Sequence, residues 1–101
     1  MSMKVEIVPV DAPPPPKLSA KERRIALLFA LLREEHDDLM RQRPPPQGTN
    51  LWFAQGNQAQ RMCDLVAEIQ PLAADLGEPH VKRCAAWDRT ASGLWQYYWG
   101  G

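Results

Sequence analysis

The chain has 101 residues, and its 12 basic and 12 acidic side chains give a formal net charge of zero. This length supports one domain with a single hydrophobic core, and the balanced charge argues against bulk electrostatic attraction to nucleic acid or to an anionic membrane. The N-terminus shows no secretory signal, and the longest apolar run has eight residues, against the roughly 20 needed to span a bilayer. We therefore expect a cytoplasmic protein whose two cysteines are reduced.

Residues 1–17 are expected to form an extended N-terminal segment and proline-rich leader, in front of a single helical domain over 18–101. Apolar and charged residues alternate over 3–7, which is the pattern of a half-buried strand. Pro9 has no N–H to donate, so this strand would lie at the edge of a sheet or remain unpaired. The four prolines at 13–16 favour extended polyproline II structure, which suits a stiff spacer or a ligand for a proline-binding domain.

The first helix is predicted to start at Ser19 and to end near Gln42. Ser19 and Glu22 have the spacing of a capping box, and Pro44 disfavours helical geometry at the residue before it. Residues 25–32 are apolar without interruption, so we expect this stretch to lie in the middle of the core and to be covered on two sides. Two apolar stripes run along the helix: one is Ile25, Leu28, Phe29, Leu32, His36 and Leu39, and the other is Leu27 and Leu31.

A second helix is predicted between Asn57 and Gly77. Asn57 can cap its first turn, and helical spacing continues through Pro71, which indicates one helix with a kink. Gly77 suits the position just past the end of this helix. Pro79 then fits the first turn of a third helix.

Two aromatic segments remain open at this stage. Residues 49–53 are a short helical turn or an ordered loop, and their two aromatic side chains are expected to plug one end of the core. Residues 94–101 form either a strand that pairs with the N-terminal segment or a helix that exposes Tyr97 and Trp99. The predicted fold is mostly α-helical: a small three-helix bundle with a long central helix, a short extended N-terminal segment and, in one alternative, a short C-terminal strand.

The two cysteines do not form a recognisable metal or redox site. His80 and Cys84 lie four residues apart on the third helix, and Cys63 would be the natural third ligand. If the second and third helices form an antiparallel hairpin, Cys63 lies opposite about position 92, roughly 12 Å along the axis from Cys84. This separation disfavours a shared metal and a disulfide. Since there is also no nucleophilic triad and no phosphate-binding loop, we predict no enzyme activity, no metal and no cofactor.

The acidic stretch 34–38 is the densest group of polar functional side chains. Glu34 and Asp38, or Glu35 and Asp38, have the spacing of ligands on one helical face. Arg33, however, stands where the Glu-x-x-His pattern of di-iron helices requires a glutamate. We interpret the stretch as a solvated acidic face and include it among the candidate surfaces for a protein partner.

Residues 72–77, with the basic residues that follow them, resemble a helix-turn-helix motif. Ala73 is the small residue of the first helix, and Gly77 is the glycine four positions later. The connection from Gly77 to Val81 is about two residues shorter than in that family. The resemblance implies a DNA-binding regulator that uses the region 72–89, with four side chains directed toward bases and phosphates: His80, Lys82, Arg83 and Arg89.

The aromatic C-terminus is the feature that a simple helical core explains least. Its rings either fold back over the first helix or remain exposed, and exposed Trp and Tyr clusters are typical anchors for protein partners. We predict a small non-enzymatic protein-binding module that resembles the short reading frames of bacteriophages and mobile elements, including inhibitors or adaptors of host proteins. The alternatives are the DNA-binding regulator and a structural helical homodimer paired through the tail. The candidate protein-binding residues are Trp95, Tyr97, Tyr98, Trp99, Glu34, Glu35 and Asp38.

Overall fold

The computed structural model describes residues 18–100, which form three α-helices: α1 (Ala20–Arg41), α2 (Asn50–Leu76) and α3 (His80–Trp99). α2 packs against both other helices, whereas no Cα atom of α1 lies within 8 Å of one in α3. The predicted three-helix bundle with a long central helix is confirmed, but α2 occupies the centre rather than the helix that contains 25–32. The predicted N-terminal strand and the proline-rich leader lie outside the described residues.

α1 begins and ends where local signals predict. The backbone N–H of Glu22 donates to Ser19 Oγ at 3.1 Å, and the backbone N–H of Ser19 donates to Glu22 Oε1 at 2.9 Å. These two reciprocal bonds complete the capping box. At the other end, Gln42 is already extended, with φ −84° and ψ 144°. The predicted span is therefore confirmed.

Among the residues that the structure describes, the apolar run of α1 is covered on one side only. Ile25, Leu28 and Leu32 are at most 3% exposed, whereas Leu27 is 52% and Leu31 is 39% exposed. The expectation that the first half of α1 is buried on two sides is wrong. The reason is that, within residues 18–100, α2 is the only helix whose backbone packs on α1, and α3 reaches α1 through long side chains. The second stripe of leucines is left facing outward.

α2 starts seven residues before the predicted Asn57. Thr49 is its N-cap, with Oγ1 accepting from the backbone N–H of Trp52 at 3.3 Å, so the predicted turn or loop over 49–53 is the first turn of a helix. Trp52 is buried at 7% exposure, but Phe53 is 44% exposed. Only one of the two aromatic side chains therefore seals the core.

The single helix predicted to pass through Pro71 is confirmed, because α2 continues to Leu76 with this proline inside it. Gly77 follows with φ +80°, a left-handed value that favours glycine. Its backbone N–H donates to the carbonyl of Ala73 at 2.8 Å. These features end α2 where the sequence predicts.

α3 runs antiparallel to α2 along its whole length. The Cys63 thiol lies 3.5 Å from the carbonyl oxygen of Ala91, one residue from the predicted level. Residues 94–99 remain helical, so the alternative of a C-terminal strand is wrong. The physical reason is that Ala91, Leu94 and Tyr98 continue the apolar spacing of α3, and α2 is long enough to cover them.

Candidate functional site

Six aromatic side chains meet where α2 begins and α3 ends, and we call this surface the aromatic end. α2 contributes Trp52 and Phe53, which the helical spacing places on different sides of that helix. The antiparallel hairpin brings the last turns of α3 to the same level as the first turns of α2. The α3 residues of the aromatic end are Trp95, Tyr97, Tyr98 and Trp99.

On one side of the aromatic end, two tryptophans lie across α2. Trp99 Nε1 donates to the carbonyl of Gly56 at 2.9 Å, and Trp95 Nε1 donates to Gln60 Oε1 at 2.7 Å. Phe53 stacks on Trp99 with 5.9 Å between ring centroids. A Cβ added at Gly56 would lie 2.7 Å from the Trp99 ring, so glycine allows the indole to approach the helix closely. These rings are held in place yet partly exposed.

On the other side, Trp52 contacts both tyrosines. Its ring centroid lies 5.3 Å from that of Tyr97 and 4.9 Å from that of Tyr98. Tyr97 is 56% exposed and helps to line a groove of about 400 Å³ between the C-terminal ends of α1 and α3. Tyr98 is half-buried, and burial together with the neighbouring Tyr97 raises the pKa of its phenol.

Two buried glutamines of α2 connect the aromatic end to α1. Gln55 accepts a hydrogen bond from Tyr98 Oη at 2.7 Å and donates from Nε2 to Gln42 Oε1 at 3.0 Å. Gln58 donates to Asp38 Oδ2 at 2.9 Å and to the carbonyl of Glu35 at 3.1 Å. Because both glutamines are at most 6% exposed, their hydrogen bonds orient the ends of all three helices relative to one another.

Sequence reasoning missed both glutamines and also the exposure of Phe53. The available signal was the helical spacing of Gln55 and Gln58 with the core residues Ala59 and Met62, which continues back to Trp52. Gly56 lies within this stretch, and because glycine disfavours a helix interior, the sequence predicts a break there and a helix that begins at Asn57.

The predicted acidic residues lie on α1, and two of them already have partners within the fold. Glu35 forms an ion pair with Arg61 at 3.3 Å. Asp38 accepts hydrogen bonds from Gln58 and Gln42 and lies 3.4 Å from Arg41. The Glu34 side chain is exposed and makes no hydrogen bond or ion pair within residues 18–100. A role for these three carboxylates in partner binding stays a prediction.

Protonation of Asp38 should lower the free energy of unfolding at acid pH. The hydrogen bond from Gln58, with Arg41 and Gln42 nearby, lowers the pKa of this carboxyl below its ordinary value. The associated stabilisation is present above the unfolded-state pKa of about 3.9 and is lost as pH falls through the lower folded-state value. We expect urea unfolding to show a larger stability difference between wild type and Asp38→Asn at pH 7 than at pH 2. An equal stability difference between the two proteins at pH 7 and at pH 2 would contradict a lowered pKa for Asp38.

The four residues of the helix-turn-helix alternative lie along α3 and do not share one face. Lys82 and Arg89 are exposed and seven residues apart, whereas Arg83 lies over the Phe29 ring of α1 at 4.5 Å. His80 is half-buried at the start of α3. α2 and α3 run side by side, whereas the helices of a helix-turn-helix cross at about 90–120°. The hairpin therefore differs in geometry from the motif it resembles, and DNA binding stays a prediction.

The cysteines have the properties of packing residues. Both are free thiols, Cys84 being buried and Cys63 half-buried. Burial, with a smaller contribution from Asp88, raises the pKa of both thiols. This direction is opposite to the lowering that activates a nucleophilic cysteine.

Residues 18–100 also lack two features that would assign a function directly. They contain no group of three or more His, Cys, Asp or Glu side chains placed to hold a metal ion. None of their helices is long and apolar enough to cross a membrane. Comparison of the chain with protein-family models, curated proteins and solved structures finds no match.

Proposed function

We propose that this chain is a small, non-enzymatic protein-binding module that contacts its partner through the aromatic end. The observation that carries this proposal is that five large apolar side chains are exposed together there, each between 38% and 56%. A cluster of this kind on a small protein is characteristic of an interaction surface. Four of them are aromatic-end residues, and the fifth is Leu51, which precedes Trp52 in the first turn of α2; the four are Phe53, Trp95, Tyr97 and Trp99.

The hydrogen bonds of the aromatic end support the proposal energetically. Trp and Tyr dominate the binding energy of many interfaces because they bury large areas while losing few rotatable bonds. Here the indole N–H groups of Trp95 and Trp99 are already bonded to α2. A partner can therefore cover the ring faces without leaving those donors unpaired, and the entropic cost of ordering the rings is met before binding.

The binding test uses two substitutions on the exposed rings, Phe53→Ser and Tyr97→Ser. Proteins captured from a lysate of the source organism by the wild-type chain are quantified by mass spectrometry, and affinity for the enriched protein is then measured by calorimetry. Since truncation of an interface anchor typically costs 2 kcal/mol or more, we expect each variant to bind roughly 30-fold or more weakly.

Val81→Ser is the matched control for this experiment. Val81 is 41% exposed but lies at the opposite end of α3, so its substitution should leave capture and affinity unchanged. Circular dichroism at the temperature of the assay should show that all three variants are folded like the wild type. Equal capture by wild type and both aromatic-end variants would refute the proposal. The identity of a captured protein would test the narrower hypothesis of an inhibitor or adaptor of a host protein.

A further inference from the structure

The outward face of α1 carries an apolar patch that the bundle does not cover. Leu27 is 52% and Leu31 is 39% exposed, and they lie one turn apart. Leu31 also borders a groove of about 250 Å³ along the seam with α2, where the half-buried Leu65 forms the opposite wall. The patch is thus a short apolar strip on one helix that extends toward its neighbour.

Charges of opposite sign flank the two exposed leucines. Arg23 and Arg24 precede Leu27 by about one turn, and Glu34 and Glu35 follow Leu31 by about one turn. This arrangement is symmetric along the sequence. The pairs 27 with 31, 24 with 34, and 23 with 35 all have their midpoint at position 29. A two-fold axis through that level would superimpose each member of a pair on the position of the other.

We propose that this face of α1 binds the same face of a second copy of the chain, with the two helices antiparallel. A two-fold interface must be self-complementary, and the pattern satisfies this requirement at each position. Leu27 of one copy meets Leu31 of the other, and both arginines meet glutamates. A parallel pairing would instead place arginines beside arginines and glutamates beside glutamates, which is unfavourable.

Glu35 already pairs with Arg61 of α2 at 3.3 Å, but the other three charged groups of this face are exposed and available for such contacts. Within residues 18–100, Arg23 and Glu34 form no ion pair, and the one side-chain hydrogen bond of Arg23 goes to the carbonyl of Leu18. Arg24 pairs with Glu68 of α2, but both side chains remain more than half exposed. A second copy can therefore approach Arg24 without displacing a buried ion pair. This surface is separate from the aromatic end, so the proposal does not depend on partner binding there.

The first test measures the mass of the full chain in solution as a function of concentration. Analytical ultracentrifugation should show a dimer at tens of micromolar, and Leu27→Ser should weaken the dimer at least tenfold. Met40→Ser is the matched control, because Met40 is on the same helix and is 53% exposed but lies outside the symmetric pattern. This control should dimerise like the wild type, and both variants should keep the wild-type circular dichroism spectrum.

The second test exchanges one pair of charges. Arg24→Glu alone and Glu34→Arg alone each place like charges opposite one another, so each variant should be monomeric at concentrations where the wild type is a dimer. An equimolar mixture of the two variants should form a heterodimer, because each new charge then faces its opposite. Recovery in the mixture cannot be explained by a loss of folding in either variant.

Three outcomes would overturn the proposal. The first is a full chain that remains a monomer at about 100 µM. The second is a dimer that tolerates Leu27→Ser, which would place the interface elsewhere, for example at the aromatic end. The third is a dimer that forms when residues 1–17 are removed but not in the full chain, which would mean that this segment occupies the face.

Discussion

Replacing Leu32 with alanine should lower the free energy of unfolding by about 2–5 kcal/mol, whereas the same change at the adjacent Leu31 should cost less than about 1 kcal/mol. Leu32 is fully buried, at 0% exposure, among core residues of α1 and α2. Its truncation removes apolar area from a packed site and leaves a cavity. Leu31 is 39% exposed, so solvent or a second copy of the chain replaces the lost methyl groups.

Urea unfolding followed by circular dichroism measures both values, and the comparison controls for helix propensity. Both changes are Leu→Ala within the same apolar run, so the small gain in helix propensity is the same for each. The measurement is made at low micromolar concentration to limit any stabilisation by self-association. Similar costs at the two positions would mean that α1 is covered on both sides, as the uninterrupted apolar run alone suggests, and would contradict the observed packing.

Local interactions explain why much of the fold is predictable from the sequence. The capping box at Ser19, the end of α1 before Pro44 and the end of α2 at Gly77 each depend on residues within about one turn. Contacts with residues that are far away in the sequence do not change these helix ends. The register of α2 against α3 also follows, since a hairpin that turns at Gly77 places Cys63 opposite the level of Ala91.

The start of α2 depends on a contact that is distant in the sequence. Glycine in a helix costs about 1 kcal/mol relative to alanine, and for this reason Gly56 predicts an interruption of the helical pattern. In the structure, the indole of Trp99 lies against Gly56 and donates to its carbonyl, although the two residues are 43 positions apart. Only the folded hairpin shows why a glycine belongs at this position.

The candidate site is partly predictable for the same reasons. The exposure of Tyr97 and Trp99 follows from helical spacing in α3, and both are exposed. The exposure of Phe53 was not predicted, because it depends on how far α2 extends. The sequence also does not predict which leucines of α1 stay exposed. Periodicity identifies apolar stripes but not the number of helices available to cover them.

Of the two buried glutamines, Gln55 is the position where we expect a second large loss of stability on substitution. This side chain is 2% exposed, and its amide makes three hydrogen bonds: it accepts from Tyr98 and donates to Gln42 Oε1 and to the carbonyl of Arg43. We expect Gln55→Ala to lower the unfolding free energy by about 2–4 kcal/mol. The change leaves polar groups of all three partners without their bond and opens space beneath the aromatic end.

A double-mutant cycle with Tyr98→Phe separates the hydrogen bond from the cavity. The single change Tyr98→Phe should cost about 1–2 kcal/mol, because it leaves Gln55 Oε1 buried without a donor. Once Gln55 is alanine, the same change should cost much less, which gives a coupling of at least about 0.5 kcal/mol. Gln60→Ala is the matched control: Gln60 lies on the same helix and bonds to Trp95, but it is exposed, so its loss should cost less than about 1 kcal/mol. Additive effects of Gln55→Ala and Tyr98→Phe would mean that the bond between these two side chains contributes nothing to stability, and that the aromatic packing and the hydrogen bonds of Trp95 and Trp99 hold the end of α3 on α2.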